Sequence, residues 1–198
     1  MQIDDGWEQG GSLQDANGFL PIYKNGWKDI KTEADRNNLK LGLWVALRNA
    51  RTGWTALCLG NKDFVDLMAN HIQEFVSKYE LDGAWLDMAD PIAPECYCDE
   101  CVYQIRAAGK DPFDKDVHRE HQNKNFIEFH HRMKVLVHAT CPGCHVDFND
   151  FGLGKVSERA EFLDNIDIEA LPTDPQWGYF MRHCRYATSV TLGFLYME

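Results

Sequence analysis

The sequence predicts an α/β fold, and within that class a partial TIM (β/α)8-type barrel with six of its strands present. Three observations support this. Strand-like and helix-like segments alternate through six strands, which calls for parallel pairing with right-handed crossovers. The Gly-x-Gly-x-x-Gly fingerprint of an open doubly wound sheet is absent. Acidic residues stand at the predicted strand ends instead, and a barrel gathers these ends at one mouth.

The apolar pattern predicts the elements of the first half of the chain. Residues 2–5 have the character of a strand end, and residues 29–38 that of a helix. The nearly continuous apolar run over 39–47 suits a strand buried on both faces. We expect residues 48–60 to be a loop. Residues 62–79 predict the clearest helix, because apolar side chains recur there at three- and four-residue spacing.

The second half continues the alternation. A strand over 81–88 carries Asp87 at its end, and a long loop leads to a second strong helix over 122–138. The remaining predicted elements are strands at 145–148, 167–171 and 192–197, and helices at 157–163 and 178–188.

Composition indicates one folded domain over residues 1–198. The chain has 44% hydrophobic residues and a formal net charge of −11, from 20 basic and 31 acidic residues. An acidic chain repels phosphate, which disfavours nucleic acid and anionic membrane surfaces as partners. No apolar run reaches the roughly 18–20 residues that a membrane span needs.

Seven cysteines do not suit a fully paired disulfide framework, because their number is odd. Cys96, Cys98 and Cys101 lie together and have the spacing of metal ligands, and Cys58 is the first choice for a fourth ligand. Two interpretations stay open: a structural zinc site, or free and partly buried thiols. We expect the pair in Cys141-Pro-Gly-Cys144 to be two thiols in a helix-ending turn rather than a metal or redox site.

The eight histidines do not form a recognisable metal site. No His-Glu-x-x-His spacing occurs, and the adjacent His130 and His131 would point about 100° apart on a helix. We therefore expect the histidines to be solvated or to cap helices.

The acids at the strand ends predict a sugar-binding mouth. Tryptophans at positions 7, 44, 85 and 177 are interleaved with them, and aromatic faces stack on pyranose rings. Any single acid is easily explained as a turn or helix cap. Acids at five strand ends favour a site, and the acids concerned are Asp4, Asp5, Asp87, Asp90, Asp147, Asp150, Glu169 and Glu198.

Three segments resemble the glycoside hydrolases of the α-galactosidase superfamily. They are Ile3-Asp-Asp-Gly-Trp7, Asn25-Gly-Trp-Lys-Asp-Ile30 and Leu39-Lys-Leu-Gly-Leu-Trp-Val45. The resemblance implies that Asp-Asp-Gly-Trp closes the second barrel strand. It also implies that Asp87, at the end of the fourth strand, is the catalytic nucleophile and that Glu169, at the end of the sixth, is the acid/base.

The chain departs from that family at several positions. Trp85 stands where the family usually has Lys, and Glu169 stands where it normally has Asp. The Cys-x-Cys-x-x-Cys loop is similar to the zinc-binding loop of family 42 β-galactosidases. It also resembles uncharacterised barrel proteins, related to fucosidases and β-galactosidases, that have a Cys-Tyr-Cys-x-x-Cys loop and a Glu-x-Leu-Pro-Thr sixth strand. The resemblance therefore implies glycoside hydrolysis and leaves the sugar open.

The remaining candidate residues receive roles around this pair. Asp4 and Asp5 would accept hydrogen bonds from sugar hydroxyls, and Arg48 would bind a hydroxyl or steady Asp87. Trp177 would provide an apolar wall for Glu169, which must hold its proton near neutral pH. Asp147 is the second choice for the acid. The reaction requires no cofactor, and retention of configuration is expected.

Three alternatives stay open. In the first, which follows the β-galactosidase group, Asp87 is the acid and Glu198 the nucleophile. In the second, the chain is a degenerate barrel that binds carbohydrate without catalysis. In the third and weakest, the acids hold a catalytic metal, although histidine ligands at strand ends are lacking.

Strand counting also bears on length. If Asp-Asp-Gly-Trp closes the second strand, Glu198 follows the seventh, and a complete barrel has about 250 residues. We therefore expect a piece of a longer protein, or a reduced barrel closed by a partner or by a second copy of itself.

Overall fold

The structure is a computed structural model, and it describes residues 2–3, 28–46, 48–49, 55–87, 95–148, 164, 167–169 and 195–197. Within these residues there are four helices: α1 (Lys28–Arg36), α2 (Lys62–Lys78), α3 (Asp99–Ala107) and α4 (Lys115–Thr140). The strands are β1 (Gln2–Ile3), β2 (Gly42–Ala46), β3 (Arg48–Asn49), β4 (Thr55–Ala56), β5 (Gly83–Asp87), β6 (His145–Phe148), β7 (Asp167–Glu169) and β8 (Leu195–Met197).

Four strands form one parallel sheet in the order β1-β2-β5-β6. Helices separate these strands along the chain, yet each strand lies beside its predecessor. The order therefore never reverses, as it does at the switch point of a doubly wound sheet, and this progression is that of a barrel. Outside the sheet, β7 and β8 form a second parallel pair.

The core lies between one face of this sheet and the helices α2 and α4. Alternate strand residues point to this face, namely Ala84 and Leu86 of β5 and Val146 and Phe148 of β6, and all four are buried. Their partners from the helices are also buried: Met68, Ile72, Phe75, Phe126, Phe129 and Met133. The three- and four-residue periodicity thus correctly predicted which side of α2 faces the sheet.

The opposite face of the sheet is the side that a barrel turns inward. On β5 this face carries Gly83, Trp85 and Asp87, because side chains alternate along a strand. A Cβ atom at Gly83 would lie 2.5 Å from the carbonyl oxygen of His145. Glycine at this position therefore permits the close approach of the β5 and β6 backbones.

Several predicted elements differ in extent from those observed, and strand β2, for example, begins at Gly42 rather than at residue 39. Helix α4 begins at Lys115 rather than near residue 122, because the Asp114 carboxylate accepts hydrogen bonds from the N–H groups of Asp116 and Val117 and starts the helix early. Part of the predicted loop 48–60 is an antiparallel pair instead, in which Arg48 of β3 pairs with Ala56 of β4.

The expectation of solvated or capping histidines is wrong for His118 and His130, which are 0% and 1% exposed. The Nε2–H of His118 donates to the carbonyl oxygen of Pro112. The ring of His130 packs between those of Phe126 and Phe148, and its Nδ1 lies 2.8 Å from the Phe126 carbonyl oxygen. A polar group is readily buried once it has such a partner.

The expectation of two free thiols at Cys141 and Cys144 is also wrong, because the two residues form a disulfide bond. The turn itself is confirmed, since Cys141 caps the end of α4 and Cys144 immediately precedes β6. The turn brings the two Cα atoms to 5.3 Å, which is within the usual range for a disulfide.

Some predictions fall on residues that are not described. These include the helices expected at 157–163 and 178–188, and the candidate site residues Asp4, Asp5, Trp7, Trp177 and Glu198. None of the helices described has the length and apolar character that crossing a membrane requires.

Candidate active site and metal centre

Asp87 is the last residue of β5 and stands at the carboxyl end of the parallel sheet. It lies on the face opposite the helices, is 9% exposed, and pairs in register with Ala46 of β2. Barrel enzymes carry their catalytic residues at this end of the strands. A carboxylate here reaches the mouth, while the strand behind it is anchored by the buried Ala84 and Leu86.

Asp147 and Trp85 lie one layer below Asp87. The two residues pair in register, and both belong to the face opposite the helices. Trp85 is 3% exposed and Asp147 is half-buried. Asp147 was expected at the end of its strand, but β6 continues by one residue to Phe148.

Three further candidates are described by their strand positions. Trp44 of β2 pairs with Trp85, and Arg48 is the first residue of β3, two positions after the last residue of β2. Glu169 is the last residue of β7 and pairs with Met197 of β8. Glu169 therefore ends its strand and Arg48 closely follows a strand end, whereas Trp44 lies in the interior of its strand at the level of Trp85.

The four predicted metal ligands come together in space. The Sγ atoms of Cys58, Cys96, Cys98 and Cys101 all lie within 4.8 Å of one another. The Sγ atom of Cys58 is 3.4 Å from that of Cys101 and 3.6 Å from that of Cys98. Cys58 thus lies beside the three clustered cysteines, as predicted, although it stands 38 positions before Cys96 in the sequence.

The cluster joins two loops at the mouth end of the sheet. Cys58 lies between β4 and α2, in the connection that follows β2. The other three cysteines lie in the connection that follows β5 and Asp87, where Cys98 caps the beginning of α3 and Cys101 belongs to its first turn. An ion held by all four sulfurs would therefore link the loops that follow two neighbouring strands.

Residues outside the cysteine motif complete the surroundings of the cluster. The amide Nε2 of Gln122 donates to the Sγ atom of Cys101 at 3.4 Å, and Gln104 donates to the carbonyl oxygen of Gly60. A Cβ atom at Gly60 would lie 2.6 Å from Nδ2 of Asn125 and 3.2 Å from Sγ of Cys101. The sequence alone does not indicate these contributions, because the polar residues lie on helices and have no ligand spacing.

The cluster holds its first negative charge easily and resists a second. Hydrogen bonding from Cys101 lowers the pKa of Cys58 to about 5 against the opposing effect of burial, and Cys98 and the Gly60 N–H add to the lowering. Burial raises the pKa of Cys96 to about 11. The thiol of Cys101 has a raised pKa because it hydrogen-bonds Cys58 and is buried. A cation would permit full ionisation.

The donor set fits a tetrahedral thiolate-preferring metal. Four sulfurs at the usual zinc distance of about 2.3 Å from a central ion are roughly 3.8 Å apart. Two of the separations, 3.4 Å and 3.6 Å, are slightly below this value, and none exceeds 4.8 Å. Small shifts of the side chains would reach the ideal geometry, and four protein ligands leave no open position for a substrate.

Comparison with family models and with curated proteins finds no match to the sequence. Solved structures do match. An α-L-fucosidase isoenzyme 2 from Paenibacillus thiaminolyticus has a TM-score of 0.69 and 24% identity, covering 83% of this chain and 28% of its own. A β-galactosidase from Bacillus circulans sp. alkalophilus has a TM-score of 0.55 and 12% identity, covering 86% and 35%.

An α-galactosidase from Lactobacillus brevis also matches, with a TM-score of 0.50 and 14% identity, covering 87% of this chain and 29% of its own. The chain thus spans about a third of the length of these proteins. At such identities the likeness shows the fold alone. It shows that the described strands and helices have the arrangement found in TIM-barrel glycoside hydrolases.

Proposed function

We propose that the chain carries the active site of a glycoside hydrolase that retains the configuration of the sugar. One observation supports this most strongly. Asp87 is a buried carboxylate at the carboxyl end of a barrel strand, on the inward face, in a fold shared with a fucosidase and galactosidases. Other barrel enzymes also have acids at this end, and the glycosidases among the structural matches make this chemistry the preferred one.

In the proposed reaction Asp87 attacks the anomeric carbon and Glu169 protonates the leaving oxygen. The oxygen of Asp87 forms the new bond to the sugar as the glycosidic bond breaks. Glu169 then accepts a proton from the water that hydrolyses the glycosyl-enzyme. A retaining pair requires the two carboxyl groups to be about 5–5.5 Å apart. The position of each residue at the end of a strand supports this assignment.

The other candidates would surround the sugar. In this proposal Asp4 and Asp5 accept hydrogen bonds from the sugar hydroxyls. Arg48 binds a hydroxyl or holds Asp87 in position, and Asp147 contacts the sugar from the layer below Asp87. The aromatic residues are Trp7, Trp44, Trp85 and Trp177. The α-galactosidase-like motifs make α-galactosides the first substrates to test, and fucosides and β-galactosides follow from the other structural matches.

Substitution of Asp87 tests the assignment. Asp87→Asn should lower the turnover of an activated nitrophenyl glycoside by several orders of magnitude, because an amide is a poor nucleophile. Asp63→Asn, at an exposed position in the first turn of α2, is the matched control and should retain full activity. Near-normal turnover by Asp87→Asn would overturn its role.

The acid/base assignment needs its own variant. Glu169→Gln should lose turnover on substrates with poor leaving groups, and azide should partly restore turnover on an aryl glycoside with a good leaving group. Azide replaces the water that Glu169 would have activated. A variant that azide does not rescue would contradict the acid/base role of Glu169.

We further propose that the four-cysteine cluster holds one structural zinc ion. The ion would fix the loop that follows Asp87 against the loop that contains Cys58, and it would take no part in bond cleavage. Elemental analysis of the purified protein should find about one zinc per chain. If protein prepared in the presence of zinc contains no zinc, the proposal is contradicted.

A further inference from the structure

Two half-buried acidic residues occur at the end of the sheet opposite the mouth. Asp82 immediately precedes β5. Its N–H donates to the carbonyl oxygen of Leu41, and its Oδ2 accepts the N–H of Leu41, both at 2.9 Å. Leu41 is the residue before β2, so the bonds fix the start of β5 beside the start of β2. Lys31 of α1 adds an ion pair at 3.2 Å, and Lys40 adds another at the same distance.

Asp164 repeats this arrangement further along the chain. Its Oδ2 accepts the N–H of Val146, the second residue of β6, again at 2.9 Å. The ammonium group of Lys134 lies 3.2 Å from Oδ1, and Nε2 of His138 lies 2.7 Å from Oδ2. Both of these residues lie on α4, the helix that leads into β6. Asp164 itself stands three positions before β7.

The two sites share three parts. Each has an aspartate ahead of one strand, a backbone N–H at the start of an earlier strand, and a lysine from the helix that leads into that earlier strand. Burial acts to raise the pKa of both Asp82 and Asp164, but the N–H and cationic partners outweigh burial and leave each pKa below its usual value. Both carboxylates are therefore charged at neutral pH and held by their partners.

At Asp82 the two strands joined by this arrangement are known neighbours, because β2 and β5 pair over their whole length. From the repetition we infer that Asp164 is a positioning residue that holds the start of β7 beside β6, which makes β7 the next parallel strand of the barrel. The sheet order then continues as β1-β2-β5-β6-β7-β8, since β7 already pairs with β8.

The spacing adds a consequence for the reaction. Asp87 follows Asp82 by five positions, and Glu169 follows Asp164 by five positions. Each acid is also the last residue of its strand, so the spacing and the strand ends together assign both acids to the carboxyl ends of β5 and β7. The strands β5 and β7 would be alternate strands of the barrel, and alternate strands share layers of inward residues. This consequence rests on the proposed function, whereas the docking of β7 does not.

Substitution of Asp164 tests the inference by two readouts. Amide hydrogen exchange at Val146 should accelerate about 10- to 100-fold in Asp164→Ala, the range expected for loss of a charge-assisted hydrogen bond. Asp164→Asn keeps an acceptor oxygen but not the charge, so it should have an intermediate effect and guards against an alanine variant that fails to fold. The amides of residues 167–169 should lose protection together with Val146.

Kinetics supply the second readout. A misplaced Glu169 should lower kcat about tenfold or more while KM changes little, because bound substrate is less well aligned with the acid. Asp66→Ala is the matched control, since Asp66 also pairs with two cations, Lys62 and Arg132, but accepts no N–H from any strand residue that the structure describes. This control should lower thermal stability without changing kcat measured well below its unfolding temperature.

The outcomes separate the inference from the proposed function. Unchanged exchange at Val146 and at residues 167–169 in Asp164→Ala would overturn the inference, even if the wild-type protein cleaves glycosides. A wild-type protein with no glycosidase activity would contradict the proposed function, while the exchange measurement would still decide the docking of β7. If Asp164→Ala lowers kcat no more than Asp66→Ala does, the positioning role of Asp164 is refuted.

Discussion

Two Cys-x-x-Cys pairs occupy opposite ends of helices in this protein and have opposite chemistry. Cys98 and Cys101 lie at the beginning of α3 as free thiols, in contact with the two other cysteines of the cluster. Cys141 and Cys144 lie at the end of α4 and are joined in a disulfide. The spacing is the same, so the spacing alone does not decide which chemistry results.

The helix end and the neighbouring residues explain the difference. The beginning of a helix carries partial positive charge and favours thiolates, whereas its end carries partial negative charge and disfavours them. The Sγ atom of Cys101 also accepts a hydrogen bond from the side-chain amide of Gln122 and lies 3.4 Å from the Sγ atom of Cys58. The pair at the end of α4 lies outside the four-cysteine cluster, and the Sγ atom of Cys144 is 3.2 Å from the carbonyl oxygen of Leu81. An uncharged disulfide suits that environment.

Removal of one sulfur from each pair should give the largest effect. Cys101→Ser should abolish stoichiometric zinc binding, because a serine hydroxyl is a poor ligand where three thiolates remain. Cys141→Ser should retain about one zinc per chain while losing the disulfide. Elemental analysis of both variants after gel filtration measures the zinc content per chain. Equal zinc contents in the two variants would show that the comparison is wrong.

The two glycines beside these pairs offer a finer test. Gly60→Ala should weaken zinc affinity about 10- to 100-fold, because the new methyl group would crowd Asn125 and Cys101. Gly143→Ala is the matched control, since a Cβ atom at that position meets nothing within 4 Å. Competition with a chromogenic chelator measures both affinities. A similar loss in both variants would mean that crowding at Gly60 is not the cause.

Thiol reactivity should show the smallest difference. In protein stripped of metal, the alkylation rate of Cys58 should level off above about pH 5–6, since thiolate is the reactive form and its pKa is about 5. The rate at Cys96, whose pKa is about 11, should still rise at pH 9. Peptide mapping after timed iodoacetamide treatment resolves the residues. Parallel pH profiles for both cysteines would contradict the assignment of the charge to Cys58.

The sequence predicted the repeating parts of the fold well. Apolar periodicity located α2 to within one residue at its end, and the strand that closes with Asp87 was correctly placed. Local patterns suffice there because each element buries one continuous face. The proximity of Cys58 to the other three cysteines was also anticipated, since a tetrahedral metal would require a fourth ligand beside them.

What the sequence did not predict depends on contacts between distant segments. His118 can be buried because its Nε2–H donates a hydrogen bond to the carbonyl oxygen of Pro112. Hydrophobic periodicity does not predict such an acceptor. The contributions of Gln122 and Gly60 arise only when α4 and the Cys58 loop come together. The disulfide was missed because ligand pairs and disulfide pairs can have identical spacing.

The central claim is that Asp87 is the nucleophile of a retaining glycosidase, and covalent trapping tests it most directly. An activated 2-deoxy-2-fluoro glycoside of the sugar preferred in a nitrophenyl panel should inactivate the protein slowly and add one sugar per chain. Mapping by mass spectrometry should find the adduct on Asp87. An adduct on Glu198 or Glu169, or none despite turnover of the parent glycoside, would contradict the claim.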